Sequence, residues 1–126
     1  MNVCLIGLGE WGKKLLASLK SIKKIEKIVI IKSRRDKINF IDKNIQWAFI
    51  SVNTSNHYGT VKKMLNKKIN VFCEKPLTNN LKDDKNLFRL AKQNKCKLYV
   101  SDVENYKNNK INIKKDNIII RQKYSK

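Results

Sequence analysis

Proline, histidine and glycine are scarce in this chain: one, one and four among 126 residues. Their scarcity makes the place of each one informative. No apolar run approaches the roughly 20 residues that a membrane-spanning helix needs, so a transmembrane protein is not expected. The chain opens directly on Asn2-Val3-Cys4-Leu5-Ile6, with no basic stretch leading a long apolar one, and no signal peptide is expected. Cys4, Cys73 and Cys96 are odd in number, far apart, and set in apolar or helical surroundings. That pattern excludes a disulfide framework and a metal site. It points to buried thiols in a reducing compartment, with the cytoplasm as the expected location.

Acidic residues are also few, ten against 29 Lys and Arg, for a formal net charge of +19. So basic a chain invites a nucleic-acid reading. The basic residues are nearly all lysine, however, scattered throughout among abundant Asn and Ile. No RNA-binding aromatic signature, basic zipper or zinc-finger spacing accompanies them. The charge is therefore expected to fill solvated faces and to help attract phosphorylated ligands, and nucleic acid is not expected as the main partner. With 41% hydrophobic and 31% charged residues the composition is that of a soluble globular domain. A chain of this size removes roughly two-thirds of its unfolded surface from water and needs neither disulfide nor metal to hold it.

What is present is a rhythm of short apolar runs and helical patterns, which predicts parallel strands joined by crossover helices. Strands are expected at residues 2–6, 28–31, 47–52, 69–73 and 97–100, and helices at 11–22, 57–67 and 81–94. The first helix pattern places Trp11, Leu15, Leu16, Leu19 and Ile22 on one side. In the last, Leu87, Leu90 and Ala91 form the stripe, Asn79 or Asn80 is the expected cap, and Asp83 and Asp84 complement the positive helix start. The stretch 36–46 is ambiguous, with room for a short strand around Asn39-Phe40-Ile41. The fold class is thus α/β, a doubly wound, mostly parallel sheet in a single domain over residues 1–104. Residues 105–126 form a basic extension or the start of a second domain, with Ile118-Ile119-Ile120 as their one apolar cluster.

Three of the four glycines fall in Gly7-Leu8-Gly9-Glu10-Trp11-Gly12, after the first strand and before the first helix. In the Rossmann dinucleotide-binding pattern the first glycine permits a tight turn, and the second lets the backbone approach a pyrophosphate. The third lets the helix pack closely on the strand. The helix start then presents free N–H groups and a partial positive charge to the phosphates. At the end of the second strand an NAD binder usually carries an acid for the ribose 2′-hydroxyl. Here Lys32-Ser33-Arg34-Arg35 stands instead. Arginine grips a 2′-phosphate that a carboxylate would repel, and Ser33 adds a hydroxyl, so NADP is the preferred cofactor and NAD the second choice. Pro76, the one proline, lies in Cys73-Glu74-Lys75-Pro76, at the strand edge where open parallel sheets bind ligands. A lysine held there can donate to a substrate hydroxyl or to the nicotinamide ribose.

Taken together, Gly7 to Gly12, Trp47 to Tyr58 and above all Glu74-Lys75-Pro76-Leu77-Thr78 resemble the N-terminal domain of the Gfo/Idh/MocA oxidoreductases. The resemblance covers about residues 1–104. It implies hydride transfer between a nicotinamide cofactor and a sugar, polyol or related carbohydrate, with Lys75 as the catalytic residue beside the nicotinamide. It also implies that Val52, Asn53, Thr54, His57, Glu74 and Pro76 join the glycine turn in lining the cofactor site. Family members commonly carry Thr-Pro-Asn and then His after the strand that here ends in Val52. This chain has Asn53-Thr54-Ser55-Asn56-His57, without the proline. The family's second domain, which supplies an acid/base histidine and much of the substrate pocket and subunit interface, is not expected in this chain. No histidine follows His57. A homo-oligomer is expected only if such a domain exists. Three other readings share some of these features: a non-catalytic nucleotide-binding module, a charge-driven nucleic-acid binder, and a Rossmann domain for another nucleotide such as CoA.

Overall fold

The computed structural model of the protein describes residues 1–32, 38 and 41–101. In chain order the described elements are β1 (Asn2–Ile6), α1 (Glu10–Lys20), β2 (Lys27–Ile31), β3 (Trp47–Ile50), a short 3-10 turn (Thr54–Asn56), α2 (His57–Asn66), β4 (Asn70–Cys73), α3 (Leu81–Gln93) and β5 (Leu98–Val100). All strand pairs are parallel, in the order β2-β1-β3-β4-β5. The chain runs from β1 outward to β2, then crosses back past β1 and continues the other way. Right-handed crossovers in opposite directions put α1 on one face and α2 and α3 on the other.

The register explains why these runs are continuously apolar. Cys4, Ala48, Val71 and Leu98 align across four strands, as do Ile6, Ile50, Cys73 and Val100. These two rows are buried beneath Val61, Met64 and Leu65 of α2 and Leu87 and Ala91 of α3. Each such side chain contributes about 1.5–3 kcal/mol on leaving water. The alternate residues form a second set of rows, with Leu5 beside Phe49, Phe72 and Tyr99. On that face Trp47 stacks on Tyr99 at 5.7 Å, and Phe49 meets Phe72 at 5.5 Å. These four aromatic rings are half-buried.

The helix starts follow the local chemistry. The Asn80 side chain accepts from the Asp83 N–H at 2.9 Å and its amide donates to the Asp83 carboxylate at 2.8 Å, a reciprocal cap on α3. Asp83 and Asp84 both stand in the first turn of α3, as expected; Asp84 is buried as well, and its carboxylate accepts from the Thr78 hydroxyl at 2.6 Å.

Several boundaries differ from expectation. Trp11 is 57% exposed and Ile22 43% exposed, so neither belongs to a buried stripe. Trp11 stands in the first turn of α1, on the wall of a crevice, and α1 ends at Lys20, before Ile22. On the same helix Leu19 is buried, and Leu15 and Leu16 are half-buried. The strand expected through Val52 ends at Ile50, although the Ser51 N–H still donates to the Ile6 carbonyl at 2.8 Å. Of the short strand expected around Asn39-Phe40-Ile41, Asn39 and Phe40 lie outside the described residues, as do residues 102–126. The Ile41 N–H donates to the Ile38 carbonyl at 3.4 Å.

Candidate functional site

At the carboxyl edge of the sheet each strand passes its hydrogen-bond ladder one residue further. Gly7, Ser51, Glu74 and Ser101 donate to the carbonyls of Ile31, Ile6, Ile50 and Cys73 at 2.8–2.9 Å. The loops after β1, β3 and β4 therefore leave the sheet side by side. The crossovers turn in opposite directions between β1 and β3, which opens a crevice there.

The glycine turn occupies this crevice. Gly7 has φ +97°, and a Cβ on it would lie 2.3 Å from the Ser51 carbonyl oxygen. A Cβ on Gly12 would lie 2.2 Å from the Gly7 carbonyl oxygen, so α1 approaches the turn as closely as a glycine allows. Gly9 is different, since a Cβ there would meet no atom of the described residues within 4 Å. Gly9 is also the N-cap of α1, without a side-chain cap bond, and the helix start is left to face the crevice. Gly7 and Gly12 thus sit at close backbone approaches, and Gly9 leaves the helix start open.

Two hollows adjoin along the crevice. One, of about 430 Å³, is lined by Glu10, Trp11, Thr54, His57, Glu74 and Lys75 together with Gly9, Ser51, Val52 and Asn53. The other, of about 740 Å³, shares those last four residues and extends past Gly7 and Leu8 to Ile31, Lys32 and Ile38, with Gly59, Thr60 and Lys63 of α2 opposite. Gly9, Ser51, Val52 and Asn53 form the waist between them. The expected site residues from Gly7 to Trp11, from Val52 to Thr54, and His57, Glu74 and Lys75 are thus brought together. Gly12 underlies the turn and Pro76 the wall. Ser33, Arg34 and Arg35 lie outside the described residues.

The wall beside the smaller hollow is the loop after β4. The Lys75–Pro76 peptide is cis. His57 is 1% exposed, with Nδ1 at 2.7 Å from the Pro76 carbonyl oxygen and Nε2 at 2.9 Å from the Val52 carbonyl oxygen. At the far end of the loop Leu77 and Thr78 are buried, with Thr78 on Asp84. Lys75 itself is exposed. Burial pushes the Cys4 thiol up to about 12, and it pushes the Cys73 thiol up further, helped by the Glu74 and Asp84 carboxylates. Both thiols are kept protonated and make poor nucleophiles.

Sequence reasoning missed Ser51, Lys63, Gly59 and the Thr78–Asp84 pair. Gly59 and Lys63 stand four residues apart and so share one face of α2, a spacing that was open to reading once Gly59 was noticed. Nothing in the sequence marked Asp84 as buried rather than solvated. Among the described residues no group of His, Cys, Asp or Glu is placed to hold a metal ion, and no helix is long and apolar enough to cross a membrane.

A parallel sheet with a glycine turn, an open helix start and a two-lobed crevice at its switch point defines a dinucleotide-binding α/β domain. The family model described as "Oxidoreductase family, NAD-binding Rossmann fold" matches residues 35–102, and the chain belongs to this Gfo/Idh/MocA family. YceM of Salmonella typhimurium, which carries an oxidoreductase name, is 40% identical over 53 residues, 42% of this chain and 17% of that protein. A Gfo/Idh/MocA family oxidoreductase from Vibrio cholerae has 22% identity and a TM-score of 0.69 over 80% of this chain and 38% of its own. Biliverdin reductase from Synechocystis sp. PCC 6803, solved with biliverdin and NADP+, has 18% identity and a TM-score of 0.72 over 82% of this chain and 38% of its own. Both solved structures share the fold. This chain spans little more than a third of their length.

Proposed function

We propose that this chain is the cofactor-binding domain of an oxidoreductase that moves a hydride between NADP and a sugar, polyol or related carbohydrate. The observation that carries the reading is the waist at Gly9, where an uncapped helix start, with no side chain in the way, separates two hollows. A dinucleotide has that shape, two nucleosides joined by a pyrophosphate. Gly9 and the start of α1 would hold the pyrophosphate, as helix N-termini hold anions. The larger hollow would take the adenosine half, between Ile31 and Ile38 on one side and Lys63 on the other. The smaller would take the nicotinamide, beside Lys75.

Bound there, the cofactor supplies the hydride chemistry. Lys75 would orient the reacting hydroxyl or carbonyl by donating a hydrogen bond, and Trp11 would shield the ring from water. NADP is favoured over NAD because Lys32 and Lys63 line the adenosine hollow and Ser33-Arg34-Arg35 follows directly on β2, with no acid in that stretch. Biliverdin reductase shares the fold, so the choice of a carbohydrate rests on Glu74-Lys75-Pro76 and the family resemblance. Residues beyond this domain would complete the substrate pocket and any oligomer. The cytoplasm suits a protein with protonated free thiols.

Calorimetric titration with NADPH and NADH tests the cofactor assignment. NADPH should bind at least about tenfold more tightly, and Arg34→Ala/Arg35→Ala should abolish the difference. Equal affinities in the unaltered protein would sink the NADP assignment. For the reaction, Lys75→Met in the full-length context should lose turnover of sugars or polyols while retaining NADPH. Unchanged turnover would remove Lys75 from the chemistry.

A further inference from the structure

The lone histidine reaches two loops that the sequence holds far apart. His57 is five residues from Val52 and 19 from Pro76, and its two ring nitrogens lie 2.9 and 2.7 Å from their carbonyl oxygens. A carbonyl oxygen only accepts, so each contact is a hydrogen bond where the facing nitrogen carries hydrogen. A neutral ring makes one of the two, the imidazolium both. The ring is almost completely buried, and both nitrogens face these carbonyls. We propose that His57 is a positioning residue: it ties the waist loop at Val52 to the loop carrying Lys75, so that the two walls of the nicotinamide hollow move as one. This rests on the cofactor reading given above and assigns a role that no contact with cofactor would give.

Three pins hold the Lys75 loop. The Glu74 N–H donates to the Ile50 carbonyl at 2.9 Å, His57 meets the Pro76 carbonyl, and Thr78 bonds to Asp84. The first pin is ordinary sheet and the third belongs to α3. Among these contacts the His57 pin is the one that reaches Val52 of the waist, and Lys75 lies between it and the first. Loss of the ring removes its hydrogen bond to the wall and its contact with the facing carbonyl, which favours opening of both loops.

The test compares His57→Phe with His57→Gln. Phenylalanine fills the space of the ring and ties nothing, whereas the glutamine amide donates to one carbonyl and restores part of the tie. Hydrogen exchange read by mass spectrometry should show residues 51–54 and 74–78 exchanging about tenfold faster in His57→Phe. His57→Gln should fall between that variant and the unaltered protein, and residues 70–73 should not change. NADPH affinity should fall in the same order, about tenfold for His57→Phe. Protection or affinity in His57→Phe equal to or better than in His57→Gln means that the ring merely fills space, and it overturns the proposal. So does loosening of only one loop, or loosening of both with NADPH affinity unchanged. The exchange measurement needs no ligand. An unaltered protein that fails to bind NADPH therefore overturns the cofactor reading alone, and exchange in the two loops still decides the tie.

Discussion

Gly9→Ala adds one methyl group at the waist of the crevice, and among the described residues that methyl has no atom to strike within 4 Å. The backbone there, φ −71° and ψ −166°, is extended and open to alanine. Alanine is a poorer N-cap than glycine by a few tenths of a kcal/mol or more. It also narrows the unfolded ensemble, which returns about 0.4–1 kcal/mol. The net change in stability is expected within about 0.5 kcal/mol. For a ligand the methyl stands where a pyrophosphate must approach the backbone, and NADPH affinity should fall at least about tenfold, or ~1.4 kcal/mol. Gly7→Ala is the contrasting control. Its φ of +97° and a contact of 2.3 Å with the Ser51 carbonyl oxygen oppose any side chain. The conformation alone costs roughly 1–2 kcal/mol, and the clash adds to it. A loss of about 2–3 kcal/mol lowers Tm by roughly 10 °C or more in a domain of this size. Thermal unfolding and NADPH titration of both variants decide the matter. A Gly9→Ala protein that melts like Gly7→Ala, or that binds NADPH like the unaltered protein, would refute the reasoning.

Other outcomes follow from the same geometry. Thr78→Val removes the hydroxyl that donates at 2.6 Å to the buried Asp84 carboxylate. A hydrogen bond to a charged group contributes about 1.5–3 kcal/mol, so urea unfolding should show a loss of about 2 kcal/mol. Thiol titration should modify half-buried Cys96 first, and Cys4 and Cys73 only after unfolding, because both are buried. Folded Cys4 keeps its proton up to about 12, whereas an unfolded thiol releases it from the ordinary value of 9.0. Its contribution is therefore fully present below pH 9.0 and is lost as pH rises toward about 12. Cys4→Ser should flatten that alkaline decline in equilibrium unfolding.

How far the sequence could be read depended on the range of the interactions involved. The strands were legible because sheet rows buried on both faces demand continuous apolar runs, as in Leu5-Ile6 and Phe49-Ile50. The glycine turn was legible because its constraints are local. Trp11 misled because its position in the α1 pattern matches Leu15 and Leu19, while its exposure on the wall of the crevice is a tertiary fact. The role of His57 was beyond reach for a related reason. Its partners are backbone carbonyls on two separate loops, and carbonyls leave no trace in side-chain identity. Asp84 reads as a surface acid until Thr78 is seen beside it. Lys63 reads as one lysine among many until α2 places it on the wall of the larger hollow.

The central claim is that a nicotinamide dinucleotide lies across the waist at Gly9, with its reacting ring near Trp11. The most direct measurement excites tryptophan while NADPH is titrated at about 0.15 M salt, in the unaltered protein and in Trp11→Phe. Trp47, half-buried on the aromatic face of the sheet, serves as the internal reference. The account predicts saturable one-to-one quenching with energy transfer to the dihydronicotinamide, largely lost in Trp11→Phe although NADPH still binds. No saturable signal with NADPH or NADH, or a signal that a DNA oligonucleotide reproduces and that fades steeply with added salt, would contradict it.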